Sequence, residues 1–264
     1  METPPFEVPG GWVIRDIQLS GQSFSLLLPA DPDRLLEAQE ACTQQGLSPD
    51  TASQDPYWAS LWSSAAPTAN LVLRSSWSAP TRALELGCGL GLVGLAALAK
   101  GLQVTFSDFI PEAIDLALNN SRRNGFTSAT GCLLDCLNPP QLTEDEKFPL
   151  IFGSDILYNR VNHQPILVAL ERLLAAEGVC WIGDPGRYNS HEFFESAKTR
   201  FQLELRGEDE QRLDKPQSGQ FQLFVLRHSS PVSSDDERGE ISLRAKEDWL
   251  ERKVTKIPTI PATK

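Results

Sequence analysis

No stretch of the 264 residues approaches the roughly 18 uncharged apolar positions that a membrane span requires. The opening segment METPPFEVPGG carries two glutamates and three prolines where an export or transit signal would carry basic and then apolar residues. Neither insertion nor export is expected, and the chain reads as cytoplasmic. Basic residues are also scarce: 24 Lys and Arg stand against 35 Asp and Glu, a formal charge of −11. That balance opposes a nucleic-acid or anionic-membrane partner and suits a basic or small cationic one. Paired cysteines are missing too. Cys42, Cys88, Cys132, Cys136 and Cys180 form no CxxC pair, which argues for reduced thiols. Cys132 and Cys136 have loose metal-like spacing, but no second pair or neighbouring histidine completes a site, so no metal is expected.

What is present is length enough for one substantial α/β core without metal or disulfide staples. Residues 11–28 alternate as two short strands with a turn at Gly21, and DPDRLLEAQEA follows as a helix with Asp31 or Asp33 near its start. From residue 80 apolar runs alternate with helical stretches. This pattern predicts a doubly wound, Rossmann-like, mostly parallel sheet with helices on both faces. Strands are expected at 82–86, 103–107, 130–134, 149–154, 179–183, about 202–206 and 221–227. Helices with apolar faces at Ile166, Leu170, Leu173 and Leu174 and at Phe193, Phe194, Ala197 and Phe201 cover it.

Three units follow: an N-terminal extension at 1–54 packing on the core, a main domain at 55–228, and a polar tail at 229–264. Residues 241–254 of the tail have the pattern of an amphipathic helix. The tail carries as many bases as acids, so the whole negative excess belongs to what precedes it.

The chemistry concentrates in ALELGCGLG, residues 83–91. Gly87, Gly89 and Gly91 follow the first strand of the alternating region and precede a helix at 92–100, a bare turn that lets a ligand lie against backbone amides. The spacing Gly89-x-Gly91-x-x-Gly94, with Asp108 some 20 positions on, also fits a dinucleotide fingerprint. Glu85 tips the balance, because a carboxylate just ahead of the turn repels a pyrophosphate and attracts a cation. A sulfonium with a free amino group, as in S-adenosylmethionine, meets that demand.

ELGCGLG resembles motif I of the seven-β-strand methyltransferases, and residues 55–228 follow the motif order of that family. The resemblance implies a seven-stranded sheet, S-adenosylmethionine as cofactor, Asp108 accepting the ribose hydroxyls, and Asp135 on the loop that contacts adenine. For Asp108 alone, capping the helix PEAIDLALNN is the structural alternative.

Asp155-Ile-Leu-Tyr158 resembles the post-II motif of the lysine-directed family 16 branch, and no NPPY-like sequence stands there. The tryptophan-bearing DPYWASLWSSAAPTANLVL resembles a segment of the same branch. GDPGR, 183–187, is similar to a sequence in its electron-transfer-flavoprotein β-subunit lysine methyltransferase-like group. These motifs imply a protein substrate with an accessible lysine. Asp155 is assigned to orient the amine and Tyr158 to line its channel, the alternative being that one ties down a loop and the other packs. Trp62 is read as a cofactor contact, and Trp58 as flanking adenosine or lysine. Asp184 and Arg187 either touch the target or form a salt-bridged turn. His163 and His191 receive no catalytic part. The competing functions are methyl transfer to a small amine, a cofactor-binding scaffold without turnover, and a nicotinamide-dependent oxidoreductase.

Overall fold

A computed structural model of the chain describes residues 4–44 and 56–229, without the side chains of 39–44 and 56. The expected helix at 241–254 lies outside the described residues.

The chain opens with a hairpin of β1 (Trp12–Leu19) and β2 (Gln22–Pro29), turning at Ser20-Gly21, and continues into α1 (Pro32–Gln44). After a short 3-10 turn at Pro56–Ala59 comes α2 (Ala65–Arg74). The alternating region then gives β3 (Arg82–Leu86), α3 (Leu92–Ala99), β4 (Gln103–Asp108), α4 (Pro111–Arg123), β5 (Thr130–Leu133) and β6 (Phe148–Ser154). It finishes with α5 (His163–Leu173), β7 (Leu174–Asp184), α6 (Ser190–Lys198), β8 (Phe201–Gly207), β9 (Arg212–Leu213) and β10 (Gln222–His228).

The main sheet runs β5-β4-β3-β6-β7-β10-β8-β9. β3 pairs in parallel with β4 and β6, and the last strand of the chain, β10, inserts antiparallel between β7 and β8. All seven expected strands are present. β9 is an eighth, and its two residues are too short to leave a periodic signal. β7 begins at Leu174, five residues before the expected start, because α5 runs directly into it and Leu174 already pairs with Phe148 across a register shift.

Each face of the sheet carries a separate apolar core. Phe106, Phe152 and Ala83 pack with α2, α3, α4 and the hairpin, while Leu84, Ile151 and Ile182 pack with α5 and α6. Burying both faces explains why the strands read as continuous apolar runs. The crossover between β4 and β6 lies at β3, so the carboxyl ends of these strands open a crevice at the point where strand order reverses, the place where such sheets bind ligands.

The hairpin is fixed to this core by two asparagines one turn apart, Asn120 on α4 and Asn124 at its C-terminal cap. Asn120 accepts from the Leu27 amide at 2.7 Å and donates to the Leu27 carbonyl at 3.1 Å. Asn124 does the same for Ser25, at 2.8 and 2.9 Å. Their side-chain amides act as a substitute strand along the edge of β2.

Candidate functional site

Strand alternation decides where Glu85 goes. Leu84 and Leu86 face the α5–α6 side, so Ala83 and Glu85 face α3. Glu85 is buried, 2% exposed, and its Oε2 accepts the Gly94 amide at 2.8 Å in the first turn of α3. The carboxyl therefore lies beneath the glycine turn, where the positive end of α3 draws it, and does not stand in open solvent ahead of it. Burial pushes its pKa from 4.5 up to about 8, opposed by the Gly94 and Val93 amides and assisted by the nearby Asp108.

The turn itself has left-handed backbone at Gly87, Gly89 and Gly91, with φ of 64°, 46° and 80°. At Gly89 a side chain would also meet the Trp58 carbonyl oxygen at 3.0 Å, so the tryptophan-bearing segment closes directly over the turn. Asp108 ends β4 beside it. One of its oxygens accepts the Gly89 amide at 3.2 Å and the other the Ile110 amide at 3.1 Å, so the acid joins the turn to the entrance of α4. The capping role and the place beside the turn coexist in one side chain. Burial raises Asp108 from 3.8 to about 6.

Asp135 stands exposed on the loop after β5, held by the Leu137 amide at 2.8 Å and the Asn138 side chain at 3.0 Å. Cys136 beside it is pushed by burial, with Asp135 and Asp108 adding, up to about 12, so it remains a neutral thiol. Among the described residues no group of His, Cys, Asp and Glu is arranged to hold a metal.

These parts fit a cationic nucleoside ligand better than a dinucleotide. Two buried acids with upward-shifted pKa values lie under and beside the turn, and no Lys or Arg among the described residues is bonded to either carboxyl. A ligand cation lowers the cost of such uncompensated carboxyls, whereas a pyrophosphate raises it. Glu85, Gly87, Gly89, Gly91, Asp108 and Asp135 are the residues that could hold S-adenosylmethionine here.

The second half of the site lies across the crevice, at the ends of β6 and β7. Asp155 follows β6 in left-handed backbone, φ 58°, and is 5% exposed. A non-glycine residue tolerates this only where its surroundings fix it. Here the Asp155 amide donates to the Gly183 carbonyl at 2.9 Å, and Oδ2 accepts from both the amide of Ser64, at 2.8 Å, and the Ser64 hydroxyl. Oδ1 accepts from the Arg187 guanidinium at 2.8 Å. That guanidinium lies 5.8 Å from the centre of the Trp62 ring, whose indole N–H donates to the Tyr57 carbonyl at 2.7 Å.

The salt-bridged reading of GDPGR is thereby redirected. Arg187 pairs with Asp155, while Asp184 holds the turn, accepting the amides of Gly186 and Arg187 at 2.8 and 3.0 Å and the Ser190 hydroxyl at 2.6 Å. Trp62 makes its contacts with Tyr57 and Arg187 on this side of the crevice. The backbone of Trp58 lies over the glycine turn. Ser64 was not singled out by the sequence, since a serine just before a helix signals no more than a cap.

Beyond Asp155, an open cleft of about 500 Å³ is lined by Tyr158, Asn159, Arg160, Arg187, Tyr188 and Asn189. Tyr158 is 46% and Tyr188 87% exposed, and Tyr57 stands exposed against Trp62. The chain's three tyrosines are thus all exposed, two in the cleft and one against the tryptophan beside it. His163 is buried with Nε2 3.1 Å from the Leu157 carbonyl, and has no access to the cleft's chemistry.

Residues 78–218 match the family model described as a methyltransferase domain. The chain is 34% identical over 110 residues to the histidine protein methyltransferase 1 homolog of Dictyostelium discoideum, covering 40% of this chain and 36% of that protein. It is 31% identical over 127 residues to the protein N-lysine methyltransferase METTL21A of Xenopus tropicalis, covering 46% and 57%. To the electron transfer flavoprotein beta subunit lysine methyltransferase of Danio rerio it is 29% identical over 137 residues, covering 50% and 51%. The chain thus spans between about a third and just over half of the length of these three relatives.

Proposed function

The chain belongs to the methyltransferase domain family, whose donor is S-adenosylmethionine, and from that premise we propose that it methylates a lysine amine on another protein. The observation that carries this reading is Asp155, buried at the end of β6 and bonded to Arg187, which lines the open aromatic cleft. Among the described residues its Oδ2 accepts two donors and its Oδ1 one, so a lone-pair direction on Oδ1 is left for an amine N–H.

The lysine enters past Tyr158, and its proton passes to solvent before the nitrogen docks, since the free side chain has a pKa of about 10.4. Asp155 then orients the neutral nitrogen by accepting one N–H. When bound, S-adenosylmethionine supplies a methyl carbon that bonds to the nitrogen lone pair while the C–S electron pair passes to sulfur, leaving a neutral thioether and a methylated ammonium. That ammonium returns a proton to solvent. Alignment of nucleophile, carbon and sulfur is the principal catalytic effect, so the chain's contribution is placement and exclusion of water.

An open cleft with an exposed Tyr188 suits a polypeptide better than a small amine, which would favour an enclosed pocket. The acidic charge of the domain suits a basic target. A histidine acceptor is the second reading, favoured by the likeness to the Dictyostelium protein. No helix among the described residues is long and apolar enough to cross a membrane.

The test is incubation with labelled S-adenosylmethionine and a protein extract, followed by identification of the labelled residue, for wild type, Asp155→Ala and Gly89→Arg. Label on lysine from wild type alone supports the reading. Equal labelling by all three proteins contradicts the site assignment, and label on histidine contradicts the substrate.

A further inference from the structure

A carboxylate alone beside an incoming lysine presents a chemical difficulty. It favours the ammonium form, which has no lone pair and cannot take a methyl group. Asp155 is not alone: the Arg187 guanidinium bonds its Oδ1 at 2.8 Å and is only 28% exposed. We propose that Arg187 is a positioning residue that cancels the charge of Asp155, so that the site receives the neutral amine and releases the ammonium. This inference rests on the lysine reading above.

Three features hold the guanidinium to that task. Its backbone amide is fixed by Asp184 Oδ1 at 3.0 Å, its face is turned to Trp62 at 5.8 Å, and its nitrogen reaches Asp155 from the rim of the same cleft. Its Nε is buried without a hydrogen-bond partner, so the group is anchored through its outer nitrogen and its ring contact. An amine that accepts placement from the free direction of Oδ1 lies next to this cation. A like charge at such range disfavours protonation of the amine and lowers its pKa, by about one to two units in a half-buried setting. Because guanidinium remains charged throughout the accessible pH range, the effect is constant.

The other titratable and charged groups around Asp155 do not supply this effect. Asp184 is buried and committed to its turn, Arg160 pairs with Glu192 at 2.6 Å, and His163 is bonded under the loop to Leu157. Tyr158 at the rim and Tyr57 against Trp62 carry no positive charge to place beside the amine. Glu85 and Asp108 belong to the glycine-turn side.

The test compares wild type, Arg187→Met and Arg187→Lys. The initial rate of label transfer from S-adenosylmethionine to lysine in a protein extract is followed from about pH 6.5 to 10, the range set by the free amine's pKa. Wild type gives a rate that rises to a plateau. In Arg187→Met the rising limb moves up by about one to two pH units, roughly a 10-fold to 100-fold slower rate at neutral pH, with KM unchanged or lower. Arg187→Lys keeps the charge and restores the limb.

A binding measurement free of turnover uses N-acetyl-lysine methylamide and the protein saturated with S-adenosylhomocysteine. Affinity rises with pH in wild type and falls with pH in Arg187→Met. A limb at the same pH in both proteins, with the rate of Arg187→Met lowered evenly, overturns the inference. Parallel pH trends in binding overturn it as well. Absence of lysine labelling by wild type at every pH overturns the lysine reading itself, and this inference with it.

Discussion

Glu85 Oε2 and the amide of Gly94 lie 2.8 Å apart, and a methyl group on Gly94 would stand 2.5 Å from that oxygen and 2.3 Å from the ring of Phe106. The strand, the helix and the buried acid are therefore fitted to one another. Gly94→Ala is expected to cost about 1–3 kcal/mol through overpacking. Chemical denaturation checks it: an unchanged midpoint would show that α3 can shift without penalty.

The same acid makes stability depend on pH. Glu85 is raised by burial from 4.5 to about 8 and Asp108 from 3.8 to about 6. Between those values the folded chain holds more protons than the unfolded one. Their stabilising contribution is full below the lower values and is lost as pH rises through the upper ones. Tm is expected to fall as pH increases from about 6 to above 8, and the fall is expected to be shallower in Glu85→Gln. A wild-type Tm flat over that range contradicts the burial of this carboxyl.

Asp108→Asn removes the charge and also one of the two accepted bonds that join β4 to the turn and α4, because the amide nitrogen cannot accept. Hydrogen bonds to charged groups contribute about 1.5–3 kcal/mol, so affinity for S-adenosylhomocysteine is expected to fall roughly 10-fold to 100-fold. Calorimetric titration of the two proteins measures it, with Tm as the control for folding.

On the far side of the core, Asn120 serves Leu27 twice and also donates to the Leu90 carbonyl at 3.1 Å, joining the hairpin to the glycine turn. Asn120→Ala leaves buried backbone groups without partners, an expected loss of about 2–3 kcal/mol. Limited proteolysis is then expected to cut within residues 12–29 before the sheet. Cleavage at the wild-type rate would show that the apolar contacts of Phe24 and Leu26 hold the hairpin unaided.

The sequence disclosed the parts that repeat or that break a rule. Apolar runs at fixed intervals located the strands of the sheet, and glycines before a helix located the turn, since few other residues adopt its left-handed backbone. What escaped depended on side-chain direction. The position of Glu85 was evident in the sequence, but its descent beneath α3 follows from which face β3 presents to that helix. Arg187 was visible in GDPGR, yet its partner is 32 positions away, and only the convergence of β6 and β7 brings the two together. Ser64, Asn120 and Asn124 act through long-range hydrogen bonds, for which local spacing carries no signal.

The central claim is that buried acids around the glycine turn select a nucleoside bearing a cation over one bearing a pyrophosphate. The most direct measurement is calorimetric titration of the full chain with S-adenosylhomocysteine, which retains the ammonium group, and separately with NADH. The account predicts saturable one-to-one binding of the first and none of the second. Tight binding of NADH with no heat from S-adenosylhomocysteine would contradict it.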